Sequence, residues 1–257
     1  MSQIPETSFV LGVPVHLLRD YKGWLISRLQ QKIGAHVVTL NAEMTMQAEQ
    51  NPALAQVISQ ADLIIPDGSG IVFYFWLQGI QLHRCPGIEL SEALIQHAGT
   101  TEKSWAVFFY GGQPGVTTQA AKRWQEAYPD LQVAGAWHGY LSVEEKAELQ
   151  TTLKEKQPRI ILVGLGVPRQ ELWIAEHRSL CPNAIWIGVG GSFDIWAGVK
   201  YRAPLWLRNI HLEWVYRLYK EPWRWRRMLA LPQFAWRSIR HRLTQKQPVR
   251  QELLVKK

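Results

Sequence analysis

Short apolar runs, each bounded by turn residues, alternate along most of the chain with stretches in which apolar residues recur at helical spacing. Phe9 to Val15 reads as a short strand, and Leu17 to Ile33 as a helix carrying Trp24, Leu25, Leu29 and Ile33 on one face, with Gly34 as its stop. His36 to Leu40 predicts a buried strand. Helices follow from Ala42 to about Gln50 and from Asn51-Pro52 to Ser59, and Leu63-Ile64-Ile65 is the next strand, closed by Pro66. Ile71 to Leu77 suits a strand by residue type and a helix by its place after a glycine loop; the pattern leaves both open. Further strands are expected over Trp105–Tyr110, Gln132–Trp137, Arg159–Val163 and Ala184–Val189. The intervening helices end near Tyr128, cover Val143–Lys156 and run through His177.

Three of these strands run into glycine loops: Gly111-Gly112-Gln113-Pro114-Gly115, Gly164-Leu165-Gly166-Val167-Pro168 and Gly190-Gly191-Ser192. Repeated strand–loop–helix units predict an α/β fold, a Rossmann-like parallel sheet with helices on both faces, over residues 1–200. Ligands of such sheets bind outside the carboxyl ends of the strands, where helix N-termini favour a diphosphate. No loop matches G-x-G-x-x-G and none matches G-x-x-x-x-G-K-[ST]. A nicotinamide-dependent oxidoreductase is thereby a weak alternative, and a P-loop nucleotidase is excluded.

The pattern changes after residue 200. Leu212, Val215, Tyr216 and Tyr219 share one helical face, Glu213–Arg217 and Arg217–Glu221 are i,i+4 pairs, and Pro222 interrupts the helix. Trp223-Arg224-Trp225-Arg226-Arg227 follows, and a further helix runs through Leu243. We therefore expect a helical basic appendage at 201–243 and a polar tail at 244–257. Charge sharpens this division: Arg202 to Arg242 holds nine Arg and one Lys against two Glu, which equals the net +8 of all 257 residues, so the body is close to neutral. Interleaved Trp and Arg fit a lipid surface, with a non-catalytic nucleic-acid-binding module as the alternative; the amphipathic basic pattern favours the membrane over nucleic acid. At 47% hydrophobic and 19% charged, the chain can bury a sizeable core. Two cysteines, Cys85 and Cys181, suit a reduced compartment and form neither a disulfide framework nor a zinc cluster. The N-terminus lacks signal-peptide features, and no run is long and apolar enough to span a bilayer.

The stretch with the most chemistry is Leu63-Ile64-Ile65-Pro66-Asp67-Gly68-Ser69-Gly70. Asp67 at a strand end beside a glycine loop is badly placed to hold a phosphate and well placed to take a proton from a nucleophile. Asp-Gly is also a common turn pair. Thr39 and Asn41 stand at the end of another strand, where they either cap the next helix or face a ligand. Gln170 follows the second glycine loop; Asp194 reads as a cap or a ligand contact, and Glu171 as a favourable first-turn acid.

In chain order, Thr39-Leu40-Asn41-Ala42-Glu43, Pro66-Asp67-Gly68-Ser69-Gly70, His138-Gly139-Tyr140, Gly164 to Glu171, Gly190 to Asp194, Arg202-Ala203-Pro204 and Glu221-Pro222-Trp223-Arg224 resemble the motifs of the WecG/TagA/CpsF family of bacterial glycosyltransferases. The resemblance spans nearly the whole chain. It implies an inverting, metal-independent transfer of an N-acetylmannosamine-type sugar from a UDP-sugar donor to polyprenyl-diphosphate-linked N-acetylglucosamine, with no cofactor. It implies Asp67 as catalytic base, Thr39 and Arg84 in the active site and Gln170 in the sugar pocket. Arg217, Arg224 and Arg227 are the implied basic positions of an appendage that closes over the site at the membrane. The substrate-binding set expected on these grounds also takes in Asn41, Gly68, Ser69, Gly70, Gly111, Gly112, Gly166, Gly191 and Asp194. The implied location is cytoplasmic and peripheral, on the inner face of the plasma membrane; a homo-oligomer is compatible with it. One departure bears on sugar identity: after Arg84 the family tends to carry Val, Gly and an Asp-Leu pair, whereas Cys85-Pro86-Gly87-Ile88-Glu89-Leu90 stands here.

Overall fold

A computed structural model describes residues 5–101 and 105–244. An antiparallel hairpin, β1 (Glu6–Val10) and β2 (Val13–Leu17), opens the chain. The single strand expected over Phe9–Val15 in fact spans the end of β1, the turn and the start of β2, because Leu11 and Gly12 take left-handed backbone (φ 50° and 87°) and pair Phe9 with Pro14. Helix α1 (Tyr21–Gln31) starts later than Leu17, since Asp20 caps it by accepting from the Gly23 N–H. It ends at Lys32 in left-handed conformation rather than at Gly34. The chain continues through β3 (Ala35–Leu40), α2 (Ala42–Gln50), α3 (Pro52–Ser59), β4 (Leu63–Pro66), α4 (Ser69–Leu77), α5 (Gly87–Thr100), β5 (Val107–Gly111) and α6 (Val116–Ala127). Then come β6 (Val133–Trp137), α7 (Val143–Lys156), β7 (Ile160–Gly164), α8 (Arg169–His177), β8 (Ile185–Gly188) and α9 (Ser192–Trp196). Helices α10 (Leu205–Asn209), α11 (Glu213–Lys220), α12 (Trp225–Met228) and α13 (Ala230–Thr244) complete the described chain.

Strands β3 to β8 form one six-stranded sheet in the order β4-β3-β8-β7-β5-β6, and every pair is parallel. The period-2 alternation of the strands sends their side chains to the two faces of the sheet, where they build three clusters. Val37, Ile65, Phe109, Leu162 and Ile187 cluster with Leu25 of α1, Leu94 of α5, Ala120 of α6 and Phe193 of α9. On the opposite face Val38, Leu40 and Ile64 cluster with Leu54 of α3, Phe75 of α4 and Phe234 of α13. Phe108, Tyr110, Val163 and Trp186 meet Leu149 of α7 and Ile174 of α8. The sheet is therefore covered on both faces, as the α/β reading requires. The ambiguous Ile71–Leu77 is helical, and α5 is a helix the sequence pattern did not predict. Helix α13 packs against α2 and α4, so the end of the appendage shares the body's core.

All six parallel strands point their carboxyl ends the same way. Thr39, Asp67, Gly112, Gly166 and Gly191 consequently gather along one edge, facing α11 to α13.

Candidate active site

A cleft of about 830 Å³ runs along that edge. Its floor is made by the ends of β3, β4, β7 and β8 and its far wall by the appendage. Thr39, Asn41, Asp67, Gly68, Ser69, Gly70 and Arg84 line it from the first half of the sheet; Gly112, Gly166, Gln170, Gly191 and Asp194 line it from the second; Arg217, Arg224 and Arg227 line it from the appendage. Gly111 is the one expected site residue that does not line the cleft. It is packed behind the rim at φ 131°, and an added Cβ would meet the Gly164 carbonyl oxygen at 2.4 Å, so its lack of a side chain serves strand packing.

Asp67 follows β4 and is half-buried. Its backbone N–H donates to the Leu40 carbonyl (2.9 Å), and its Oδ1 accepts from the Gly87 N–H at the start of α5 (2.9 Å). Glycine is required at 87 because a Cβ would lie 2.5 Å from Thr39 Cγ2. Burial pushes the Asp67 carboxyl above its ordinary value. The Gly87 N–H and the guanidinium groups of Arg217 and Arg84 oppose that rise, while Glu213 adds to it. A carboxylate raised by burial yet held ionisable by nearby cations is suited to accept a proton.

Thr39 Oγ1 donates to the Gly188 carbonyl (3.2 Å), and the Asn41 side chain caps α2 by accepting from the Met44 N–H (2.9 Å). Both thus combine a structural bond with a place on the cleft wall. The Cys85 thiol, raised to about 12 by burial and by Asp67 and Glu89, is no nucleophile near neutrality.

Glu213, at the start of α11, gathers the cations. It lies 2.7 Å from Arg217, 3.5 Å from Arg84 and 3.5 Å from Arg202, and Arg202 also reaches Glu89 at 2.7 Å. Burial would raise the Glu213 carboxyl, but Arg217, Arg202 and Arg84 outweigh it and hold it below the usual range. Lys200 bridges Asp194 and Glu221 at 2.8 Å each. Burial works against its charge, and these two carboxylates nevertheless raise its pKa. Arg224 pairs with Glu221, and Arg227 crosses to Glu43 of α2 at 2.7 Å. Of the two expected i,i+4 pairs, Glu213–Arg217 forms and Arg217–Glu221 does not, because Glu221 is taken by Lys200 and Arg224.

Sequence reasoning did not single out Lys200, Glu213, Glu221 or Tyr140 as site residues, yet all four line the cleft. Arg202 stood in a quoted motif and was assigned no role. Glu171 stands in the first turn of α8 as expected, and it is also fully buried in a pair with His36, which the sequence did not show. Among the described residues no group of three or more His, Cys, Asp or Glu is arranged to hold a metal ion.

Around the appendage, Tyr201, Trp206, Tyr219, Trp223 and Trp225 are all more than half exposed. Of the expected helical face, Leu212, Val215 and Tyr219 are exposed, whereas Tyr216 is half-buried and lines the cleft. No helix among the described residues is long and apolar enough to cross a membrane.

A family model described as "Glycosyl transferase WecG/TagA/CpsF family" matches residues 9–248. Three relatives carry the name N-acetylglucosaminyldiphosphoundecaprenol N-acetyl-beta-D-mannosaminyltransferase. That of Bacillus spizizenii is 38% identical over 86% of this chain and 84% of its own. That of Bacillus subtilis is 36% identical over 80% of each chain, and that of Staphylococcus aureus 34% identical over 78% of each.

Proposed function

The chain belongs to the WecG/TagA/CpsF family of glycosyl transferases, and from that premise we propose that it transfers N-acetylmannosamine from a UDP-sugar to undecaprenyl-diphosphate-linked N-acetylglucosamine. The observation that carries the reading is the position of Asp67, on the floor of the cleft and under the electrostatic influence of Arg84 and Arg217. Asp67 takes the proton of the acceptor hydroxyl. The freed oxygen attacks the anomeric carbon in line, the bond from that carbon to the donor phosphate breaks, and UDP departs with the electron pair. The relatives' names specify a β product, and an α-linked nucleotide sugar gives a β product by one inversion, which needs one base and no covalent intermediate.

The leaving diphosphate gains negative charge as the bond breaks. Charge-assisted bonds from Arg84, Arg217, Arg224 and Arg227, with backbone N–H groups of the glycine loops, answer that charge. Gly166 and Gly191 leave room for backbone to approach the substrate, Gly68, Ser69, Gly70 and Gly112 line the cleft beside them, and we assign Asp194 and Thr39 to the substrate's sugar hydroxyls. The exposed aromatics of α10 to α12 rest on the lipid surface from which the acceptor is presented, on the side of the membrane where UDP-sugars are supplied.

The test is product identification. A short-chain polyprenyl-diphosphate N-acetylglucosamine is incubated with a panel of UDP-sugars and analysed by mass spectrometry and NMR. Addition of one N-acetylhexosamine in β linkage, from the N-acetylmannosamine donor in preference to its gluco and galacto epimers, is the expected result. Transfer of a different sugar, or hydrolysis without transfer, contradicts the reading.

A further inference from the structure

We infer that Glu171 and His36, which the cleft does not expose, are positioning residues. Through Gln170 they fix how the two glycine loops after β7 and β8 are held, and with them the diphosphate side of the cleft.

The connections are continuous. Gln170 Oε1 accepts from two backbone N–H groups, Gly166 and Gly190, at 3.1 Å each, so one atom ties both loops together. Gln170 Nε2 donates to Glu171 Oε1 (2.9 Å), and Glu171 Oε2 lies 3.2 Å from His36 Nε2. Gln170, Glu171 and His36 are 2%, 0% and 2% exposed. An amide side chain can present either its oxygen or its nitrogen, and its neighbours decide which. Here two N–H donors stand on one side and an acceptor-only carboxylate on the other, so the Gln170 oxygen is turned to the loops. Reversing it would set nitrogen against two N–H groups and oxygen against a carboxylate in a dry site, where unsatisfied polar groups are costly.

Gly188, the last residue of β8, supports this independently. A Cβ there would come within 2.4 Å of Gln170 Nε2 and 2.7 Å of Glu171 Oε1, so the space that glycine leaves is filled by the relay. The sequence thus combines a glycine, an amide, an acid and a histidine from three elements at one buried point. Gln170 is accordingly a brace for the backbone around the ligand more than a direct sugar contact.

This rests on the glycosyltransferase reading for what the loops bind, but its core is testable without ligand. The variants are Gln170→Glu, the double exchange Gln170→Glu/Glu171→Gln, and His36→Leu. Gln170→Glu sets two buried carboxylates against each other. The double exchange restores the order, with Glu at 170 accepting from both loops and Gln at 171 donating to it and offering its oxygen to His36. Amide hydrogen exchange of the free full-length protein is read over segments 164–172 and 188–194, UDP affinity by calorimetry, and folding by thermal unfolding. We expect Gln170→Glu to lose protection in both segments and about tenfold or more in UDP affinity, with KM for the donor raised more than kcat is lowered. The double exchange should recover both to within about threefold, and His36→Leu should weaken both despite lying outside the cleft. Unchanged exchange in Gln170→Glu, or no recovery in a double exchange that melts like wild type, overturns the relay. If the double exchange does not fold, unchanged exchange and UDP affinity in His36→Leu overturns it. Wild type that shows the exchange pattern but does not bind UDP contradicts the ligand reading and leaves the relay supported.

Discussion

In the proposed reaction one carboxylate, Asp67, takes the proton, and its protonation is set by opposing neighbours. Because burial raises its pKa in the folded protein, ionisation costs the native state: the neutral form's contribution is complete below the unfolded pKa and is lost as pH rises through the folded one. Asp67→Asn removes that cost and keeps an oxygen for the Gly87 N–H. It should raise Tm at neutral pH, with the difference shrinking toward pH 3.8, while kcat falls about 10²–10⁴-fold. A Tm below wild type at neutral pH would contradict the raised pKa. The acid limb of the wild-type kcat/KM profile should lie above 3.8. Glu213→Gln removes a negative charge that helps raise Asp67 and leaves the Arg84 and Arg217 charges in place, so the limb should move to lower pH. A shift upward would count against the arrangement. The sequence marked Asp67 through its strand, proline and glycine neighbours. It could not mark Glu213 in the same way, because two of its three arginines come from 129 and 11 residues away and only Arg217 sits at helical spacing.

Element boundaries were legible at three helices whose capping chemistry is written into the chain, although the Asp20 cap of α1 was passed over. Asn41 and Asn51-Pro52 start α2 and α3, and Ser142 with Glu145 forms a capping box on α7; these three helices have the expected ends. Helix α5 was missed because it begins at Pro86-Gly87 with no side-chain cap, which reads as loop. Its first N–H is instead committed to Asp67, a contact made across the cleft floor that no local pattern contains. Asn51→Ala tests the capping account: it should cost about 1 kcal/mol, a Tm drop of about 2–4 °C for a chain of this size, with turnover unchanged. A loss of turnover would place α3 closer to the chemistry than the structure does.

Taken whole, the molecule pairs a closed α/β body with an edge that is basic and aromatic at once. The charge break after residue 200 was visible in the sequence, but the return of α13 into the body's core was not, since Phe234 meets α4 and Gly70 only after folding. Truncation after Tyr201 would therefore strip a core residue along with the surface ones. Replacing Trp206, Tyr219 and Trp223 with Ser leaves Phe234 in place and should lower binding to anionic vesicles by about tenfold or more without lowering Tm. Unchanged vesicle binding would remove these side chains from the proposed membrane contact.

The most direct test of the central claim is acceptor-dependent UDP release, measured in EDTA with wild type and Asp67→Asn at matched UDP affinity. The account predicts release from wild type only when the polyprenyl-diphosphate acceptor is present, and its near-complete loss in the variant. Full release from Asp67→Asn, with donor binding intact, would contradict the assignment of Asp67 as the base.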